Sequence, residues 1–308
     1  MKKYYIIFLI VALFLISSCN RGDSTTGKIV KEVEPVIEEP KAPDIIKEES
    51  KKEETKPIEK SKIEPEALEA HFIDVGYGDA ILFKEGKNVV LVDCGRTDDA
   101  IYNYLKEQNI NDIDLLITTV PTKEHIGGCD RVLRNFNVAN VMDNGRSPDT
   151  KEYKDYDEYS RKERYNFAKK GDQIKVGDIK ISILASNNRI EQDNSNVVVM
   201  KVSYGDVDFL LASDCDRECE SRLPVGLQSE IFKVASHGSL VSNSYEFISK
   251  ISPEVSIITV NVDNKYSNPK QQVLDRLSQS EIYRTDLHGT IIVKTDGKKY
   301  SVKTEKQV

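Results

Sequence analysis

Beyond residue 66, apolar positions fall into short runs that are separated by Gly, Asn and Asp. Three closely spaced runs at 70–74, 80–83 and 89–93 predict strands, and the turn at 85–88 predicts a hairpin between the second and third. Strand-like and helix-like runs then alternate. Helical spacing covers 98–107, 128–136, 244–251 and 269–278, and buried strands are predicted at 179–184, 197–202, 207–212, 231–235 and 255–260. The pattern favours two strand-rich layers covered by helices.

The first residues have the pattern of a signal peptide. Two lysines precede an apolar run at 4–16, which is shorter than the roughly 20 residues of a membrane-spanning helix and ends at Ile16-Ser17-Ser18-Cys19. This ending resembles a lipobox, so residues 1–19 are predicted to be a lipoprotein signal with Cys19 as the lipidated first residue of the mature chain. An ordinary secretory signal and a short anchor are the alternatives.

Residues 20–65 are rich in Lys, Glu, Pro, Ser and Thr and nearly free of aromatic side chains. Such a segment buries too little apolar surface to fold, and we expect a disordered charged tether. Residues 66–308 are enough for one sizeable domain with a single core. We expect an exported protein, lipid-anchored to a bacterial membrane in the cell envelope, with the membrane as a partner through Cys19.

Charge limits the choice of partner. Residues 1–65 hold 12 basic and 12 acidic side chains of the totals of 44 and 51, so the domain carries a net charge of −7. An acidic domain is a poor general binder of phosphate backbones, although one basic face can still serve. The candidate face is 161–170, RKERYNFAKK, which follows tyrosines at 153, 156 and 159. A solvated helix flank is the alternative interpretation.

The segment 119–128, TVPTKEHIGG, follows an apolar run at 114–118. It resembles the metal-binding loop of the metallo-β-lactamase superfamily, T-H-x-H-x-D-H-x-G-G. Val120 and Thr122 stand where that loop has its first two histidines, Glu124 takes the aspartate position, and His125 keeps the last histidine. The loop therefore has the frame of a metallohydrolase with an incomplete ligand set.

Further motifs resemble one branch of this superfamily, the extracellular hydrolase domain of the ComEC-type DNA-uptake protein and its free-standing relatives. They are HFIDVGYGDA at 71–80, LVDCG at 91–95, FLLASDCD at 209–216, FKVASHGS at 232–239, NKYSNP at 264–269 and YRTDLHG at 283–289. The departures from that branch are Tyr77 for glutamine, Cys94 for threonine, Ser236 for the first of two histidines and Asn268 for histidine. The resemblance implies an α/β (α+β) fold, the four-layer αββα sandwich.

The resemblance also implies a site that activates water with one or two divalent ions. With valine and threonine at 120 and 122, the first metal position is predicted to be empty. The second is predicted to hold one Zn or Mn ion through Glu124, His125, Asp214 and His237, with Asp214 and Glu124 as catalytic residues. A domain without metal is the alternative. No nucleotide cofactor is expected.

Other polar residues are expected to have structural roles. Asp74, Asp79 and Asp93 end strands at the same rim and are expected to shape the site or orient its ligands. His71 and His288 are expected to be structural. For Lys123 we consider the hypothesis that its ammonium group occupies the space of a missing ion and neutralises Glu124 or Asp214.

Four cysteines besides Cys19 remain, and three of them (Cys94, Cys129 and Cys215) flank the predicted rim, with Cys219 nearby. An exported protein meets oxidising conditions, so disulfides are permitted, but four cysteines allow three full pairings. Ligation of zinc by one thiolate is the other possibility.

Two functions follow. The first is a membrane-tethered hydrolase-like lipoprotein, a single-metal phosphodiesterase or nuclease related to DNA uptake, with nucleic acid or another phosphodiester as its partner. The alternative is a non-catalytic pseudoenzyme, a binding or scaffold lipoprotein. Replacement of the residues at 120, 122 and 268 leaves enzymatic activity an open question, and the substrate rests on analogy of fold.

Overall fold

The computed structural model describes residues 67–186 and 196–307. The predicted signal and Cys19, and the predicted tether at 20–65, lie outside these residues. In the described part of the chain, no helix is both long and apolar enough to cross a membrane.

Seventeen strands form in the described residues, in many cases close to the predicted runs. In chain order they are β1 (Leu68–Phe72), β2 (Ile81–Glu85), β3 (Asn88–Val92), β4 (Asp112–Ile113), β5 (Leu115–Ile117), β6 (Asn137–Val138), β7 (Asn140–Asp143), β8 (Arg164–Phe167), β9 (Gln173–Val176), β10 (Ile179–Ala185), β11 (Val199–Tyr204), β12 (Val207–Leu211), β13 (Ile231–Lys233), β14 (Val255–Ile258), β15 (Glu281–Arg284), β16 (Ile291–Thr295) and β17 (Tyr300–Thr304).

The helices are short. They are α1 (Asp98–Glu107), α2 (Lys123–Ile126), α3 (Cys129–Asn135), α4 (Lys151–Ser160), α5 (Arg217–Arg222), α6 (Tyr245–Ile251), α7 (Gln271–Arg276) and α8 (Thr285–His288), with a tight turn at Ala235–Gly238. Three of them begin where a side chain accepts a hydrogen bond from the backbone of the first turn: Thr150 caps α4, Asp216 caps α5 and Ser244 caps α6.

Two large sheets and a two-stranded pair, β4 with β6, organise these strands. The first sheet has the order β17-β16-β1-β2-β3-β5-β7-β8, and the second has the order β15-β14-β13-β12-β11-β10-β9. Within the first sheet β3, β5, β7 and β8 run parallel, and within the second β12 to β15 run parallel. The remaining pairs in both large sheets are antiparallel, including the predicted hairpin of β2 and β3.

The apolar residues of the sheets separate into three layers of core. One lies between the two sheets and includes Phe72, Phe83 and Phe209. A second packs the outer face of the first sheet against α1, α3 and α4, and a third packs the outer face of the second sheet against α5, α6 and α7. This is the four-layer αββα sandwich that the sequence predicted.

Candidate metal centre

The candidate site lies at the carboxyl ends of parallel strands from both sheets, where open sheets commonly bind ligands. Asp93 follows β3, Thr119 lies two residues beyond β5, and Asp214 lies three residues beyond β12. His237 lies in the turn after β13, and His125 lies on α2 in the loop after β5. The site is therefore assembled from four separate segments, each of which follows a buried strand.

The backbone at these strand ends is constrained. Asp93, Ser213, Ser236 and His237 all have positive φ, between 47° and 60°, although none is glycine. Each such residue costs of order 1–3 kcal/mol, and residues of this kind cluster at functional sites. Here the constrained residues include two side chains of the site and the residue before Asp214.

His125 lies between two carboxylates. Its Nδ1 is 2.8 Å from Asp93 Oδ2, and its Nε2 is 3.3 Å from Asp214 Oδ2. Asp93 is itself fixed by Thr119, whose backbone N–H and hydroxyl donate to its two oxygens over 2.7 and 2.6 Å. The Asp93 carboxylate therefore orients the His125 ring and leaves its Nε2 facing Asp214.

His237 is oriented by the main chain. Its Nδ1 donates to the carbonyl oxygen of Thr259 over 2.8 Å, which places the proton on Nδ1 because a carbonyl only accepts. Its Nε2 faces Asp214 Oδ1 at 4.0 Å. Burial lowers the pKa of His237, which leaves the Nε2 lone pair free of a proton.

His125, Asp214 and His237 meet the geometric condition for a cation site, since one ligand atom from each lies within 4.8 Å of the others. The Asp214 side chain keeps 32% of its surface exposed, whereas its Oδ1 is buried and has no hydrogen-bond partner in the described residues. A buried carboxylate oxygen without a donor is costly, and a cation between it and the His237 lone pair removes that cost. Two imidazoles and one carboxylate suit zinc or another borderline divalent ion.

A second cluster, formed by Asp79, Asp93 and His125, meets the same distance condition. Its carboxylate oxygens, however, already accept hydrogen bonds from other side chains. Asp79 accepts hydrogen bonds from Lys233 Nζ over 2.7 Å and from the Thr259 hydroxyl. Asp93 is saturated by Thr119 and His125. Because internal donors already occupy these carboxylates, we interpret this cluster as a hydrogen-bonded support for the first one.

The charges of the cluster are interdependent. Burial alone lowers the pKa of His125, but the carboxylates of Asp93 and Asp214 outweigh it and raise that pKa well above its usual value. Burial raises the pKa of Asp214, and the charge and hydrogen bond of His125 more than offset this, leaving the pKa lowered. For Asp79 burial is likewise outweighed, chiefly by Lys233, and its pKa is lowered. Burial raises the pKa of Asp93 despite His125.

The structure brings together three of the four predicted metal ligands, His125, Asp214 and His237. The fourth, Glu124, lies apart from this group, and its carboxylate pairs with Arg96 at 3.5 Å. Of the residues at the first metal position, Val120 is buried among the apolar side chains outside the second sheet, and Thr122 is exposed.

The Lys123 hypothesis is wrong. The ammonium group of Lys123 is half-exposed and pairs with Glu152 at 3.2 Å, because α2 packs against α4, which carries Glu152. Among the residues that the structure describes, the buried lysine is Lys233, which sequence analysis missed. The signal was available, since Lys233 belongs to the FKVASHGS motif and ends a strand that is otherwise apolar.

The cysteines form two disulfides, Cys94 with Cys129 and Cys215 with Cys219. Each bridge adjoins the site, since Cys94 follows Asp93 and Cys215 follows Asp214. All four sulfurs are therefore taken, and none is available as a thiolate ligand.

Remaining candidates lie elsewhere. His71 is buried and bonds to the Tyr104 hydroxyl at 2.7 Å, and His288 Nδ1 contacts the backbone of Arg284. In the basic segment 161–170, Arg161 pairs with Asp157 at 2.7 Å and stacks on Tyr165. Part of the positive charge of this segment is therefore neutralised by Asp157.

Comparison with known proteins agrees with this geometry. The chain is 26% identical over 253 residues to the ComE operon protein 3 of Bacillus subtilis (strain 168), covering 72% of this chain and 32% of the relative. It is also 26% identical over 232 residues to the Recombination protein 2 of Haemophilus influenzae, covering 72% of this chain and 28% of the relative. The chain thus spans about a third of the length of these relatives.

Solved structures show the same fold. The metallo-beta-lactamase fold protein YhfI from Bacillus subtilis superposes with a TM-score of 0.54 at 11% identity, covering 74% of this chain and all of YhfI. A variant of the CmlA beta-hydroxylase superposes with a TM-score of 0.51 at 10% identity, covering 76% of this chain and 55% of CmlA. The family model of the metallo-beta-lactamase superfamily matches residues 73–258. The chain is a hydrolase-like member of the metallo-beta-lactamase superfamily, related to the ComEC-type proteins.

Proposed function

We propose that this protein is a phosphodiesterase that uses one divalent ion bound by His125, Asp214 and His237. The observation that carries the proposal is the unpartnered Oδ1 of Asp214, which faces the unprotonated Nε2 of His237 at 4.0 Å. Zinc or manganese is the ion we expect. When bound, such an ion supplies Lewis-acid polarisation of a phosphoryl oxygen and makes a water molecule more acidic.

The chain's own residues have separable parts in this proposal. His125 and His237 hold their rings through Asp93 and the Thr259 carbonyl, so that both Nε2 atoms face Asp214. Asp214 is also the catalytic carboxylate, because its exposed side gives it access to substrate and to a proton from water. Glu124, whose carboxylate pairs with Arg96 at 3.5 Å, is kept in this proposal as a second catalytic carboxylate and not as a metal ligand.

A phosphodiester is the substrate class that the resemblance to the hydrolase domain of the ComEC-type DNA-uptake protein implies. Nucleic acid is our specific expectation, because the chain resembles the hydrolase domain of a DNA-uptake protein. That step rests on analogy with relatives that are about three times longer than the matched region.

We further propose that the domain works outside the cytoplasm, lipid-anchored through Cys19 to a bacterial membrane. The lipobox-like sequence at 16–19 supports this. Two disulfides in one domain also favour an oxidising compartment.

The test is hydrolysis of a short oligonucleotide by the purified protein after chelation and readdition of zinc or manganese. We expect activity that returns with the ion in the wild type and is lost in Asp214→Asn. Hydrolysis that is insensitive to chelation, or unchanged in Asp214→Asn, contradicts the proposal.

A non-catalytic binding protein is the second candidate, and the environment of Val120 favours it. That side chain is buried in the apolar core, so the first metal position is replaced by packing and is not merely short of one ligand. If the protein binds one ion but hydrolyses no phosphodiester, the binding function is the better description.

A further inference from the structure

A row of three aromatic rings leads from the candidate metal centre to the surface. The Tyr77 ring lies against His237 with a centroid distance of 4.4 Å and an angle of 47°. Tyr266 lies on the far side of Tyr77, at 5.5 Å and 36°. Tyr77 is half-buried, whereas 48% of Tyr266 is exposed. The row thus joins a buried ligand to an open aromatic face.

Large apolar side chains are exposed at the outer end of this row. Tyr266 lies on the connection between β14 and α7, where Val262 is also 68% exposed. The Lys265 ammonium group lies 4.8 Å from the Tyr266 ring centroid and brings a positive charge to the same place. An exposed ring beside a cation is suited to a ligand that is both flat and anionic.

Asn268 is anchored beside the turn that carries His237. Its Nδ2 donates to the carbonyl oxygen of Ser236 over 3.4 Å. Tyr77 and Asn268 stand where the ComEC-type branch has glutamine and histidine. Of these two departures, only Tyr77 adds a ring to the row. Tyr266 stands at the tyrosine that the NKYSNP segment shares with the Tyr-Gly-His-Pro motif of that branch.

We propose that Tyr77 and Tyr266 form a stacking subsite for a nucleobase of the substrate. The inference rests on the proposed phosphodiesterase function, because it names the group that the scissile phosphodiester carries. Base stacking on aromatic side chains tolerates every base, so the subsite provides affinity without sequence preference.

The charge beside Tyr266 selects between two ring-binding ligands. Aromatic faces also attract quaternary ammonium groups, but Lys265 already places a cation at this ring, and a second cation is repelled. A neutral base attached to an anionic phosphate is instead attracted by the same lysine.

The test is binding of fluorescently labelled oligothymidylate, beside an abasic oligomer of equal length, measured by anisotropy in the presence of a chelator. Because no hydrolysis is needed, the result is independent of catalysis. We expect the base-containing oligomer to bind about tenfold more tightly or better, the size expected for stacking of one base. Tyr266→Ala should abolish this ratio, and Tyr266→Phe should keep it.

Tyr245→Ala is the matched control, since Tyr245 is a tyrosine that is 67% exposed on α6. It should leave the ratio unchanged. Equal binding of the two oligomers by the wild type, or an unchanged ratio in Tyr266→Ala, overturns the inference, as does competition by phosphocholine but not by thymidine monophosphate.

The two proposals fail separately. Base-dependent binding without any hydrolysis removes the phosphodiesterase function and keeps the subsite. Metal-dependent hydrolysis of base-containing and abasic oligomers, bound equally well, keeps the function and removes the subsite.

Discussion

Lys233 Nζ donates to Asp79 Oδ2 over 2.7 Å, and both side chains are almost completely buried. Lys233 ends β13 of the second sheet, whereas Asp79 precedes β2 of the first. The pair therefore joins the two sheets beneath the candidate metal centre. It also places a buried ammonium group next to the carboxylates of the site.

Replacing Lys233 with methionine is expected to destabilise the protein strongly, because it leaves Asp79 buried without its cation. Breaking a buried pair in this way costs about 3–5 kcal/mol, measurable as the free energy of unfolding in urea. Lys123→Met is the matched control and should cost at most about 1 kcal/mol, since the pair with Glu152 is exposed.

Adding Asp79→Asn to Lys233→Met should recover part of the lost stability, because the amide needs no counter-charge. If Lys233→Met is no worse than Lys123→Met, the buried ion pair does not join the sheets as described.

Thr119→Val is expected to weaken metal binding while leaving the shape of the core intact. The threonine hydroxyl bonds to Asp93 over 2.6 Å and to Ser213 over 2.6 Å, and Asp93 orients His125. Loss of such an outer contact typically reduces metal affinity about 10–100-fold, which zinc titration against a chelating dye will measure.

The neighbouring Thr118→Val is the control for that experiment. Thr118 is equally buried, but its hydroxyl bonds to Tyr156 at 3.3 Å, outside the site. If both variants lose affinity to a similar extent, general destabilisation of the core is responsible, and not the orientation of His125.

Metal binding near pH 7 is expected to release about one proton. Two carboxylates raise the pKa of His125 well above 6.5, so this ring is protonated in the metal-free protein, whereas burial lowers the pKa of His237 and keeps that ring neutral. The ion must displace the His125 proton. Apparent affinity therefore falls as the pH is lowered below the raised pKa of His125.

Calorimetry in buffers of different ionisation enthalpy counts the released protons. His125→Asn should bind weakly and release none. Release of no proton by the wild type at pH 7 means that His125 is neutral before metal binds, contrary to the charge state inferred from its two carboxylate neighbours.

The two disulfides are expected to contribute unequally to stability. The Cys94–Cys129 pair has a sequence separation of 35 and the Cys215–Cys219 pair one of 4. Chain entropy then gives roughly 4 kcal/mol for the first and roughly 2 kcal/mol for the second. Denaturation of Cys94→Ala/Cys129→Ala and Cys215→Ala/Cys219→Ala will show whether the longer loop dominates. The reverse order contradicts the entropic explanation.

Much of the fold was predictable because its strands are apolar runs between turn residues. The pattern at 207–212 became β12, and 98–107 became α1. Sequence reasoning did not predict α4, β8 and β9, whose residues are mostly polar and partly exposed. The positions of β8 and β9 depend on pairing with β7 and β10, which is tertiary information.

Within the site, the residue types were predictable and their partners were not. His125, Asp214 and His237 were named from the family motifs, and the structure brings them together. Whether Glu124 faces those three ligands or Arg96 depends on how α2 lies against the loop at 96, a relationship between distant segments. The same limit applies to Lys123 and Lys233, since periodicity does not show which lysine is buried beside the carboxylates of the site.

The metal content of the protein, purified without chelators and measured by elemental analysis, tests the central claim most directly. We expect about one equivalent of zinc or manganese in the wild type and in Glu124→Gln, and none in the His125→Ala/His237→Ala double variant, with all three proteins folded. Absence of metal from the wild type, or its retention by the double variant, contradicts a cation site formed by His125, Asp214 and His237.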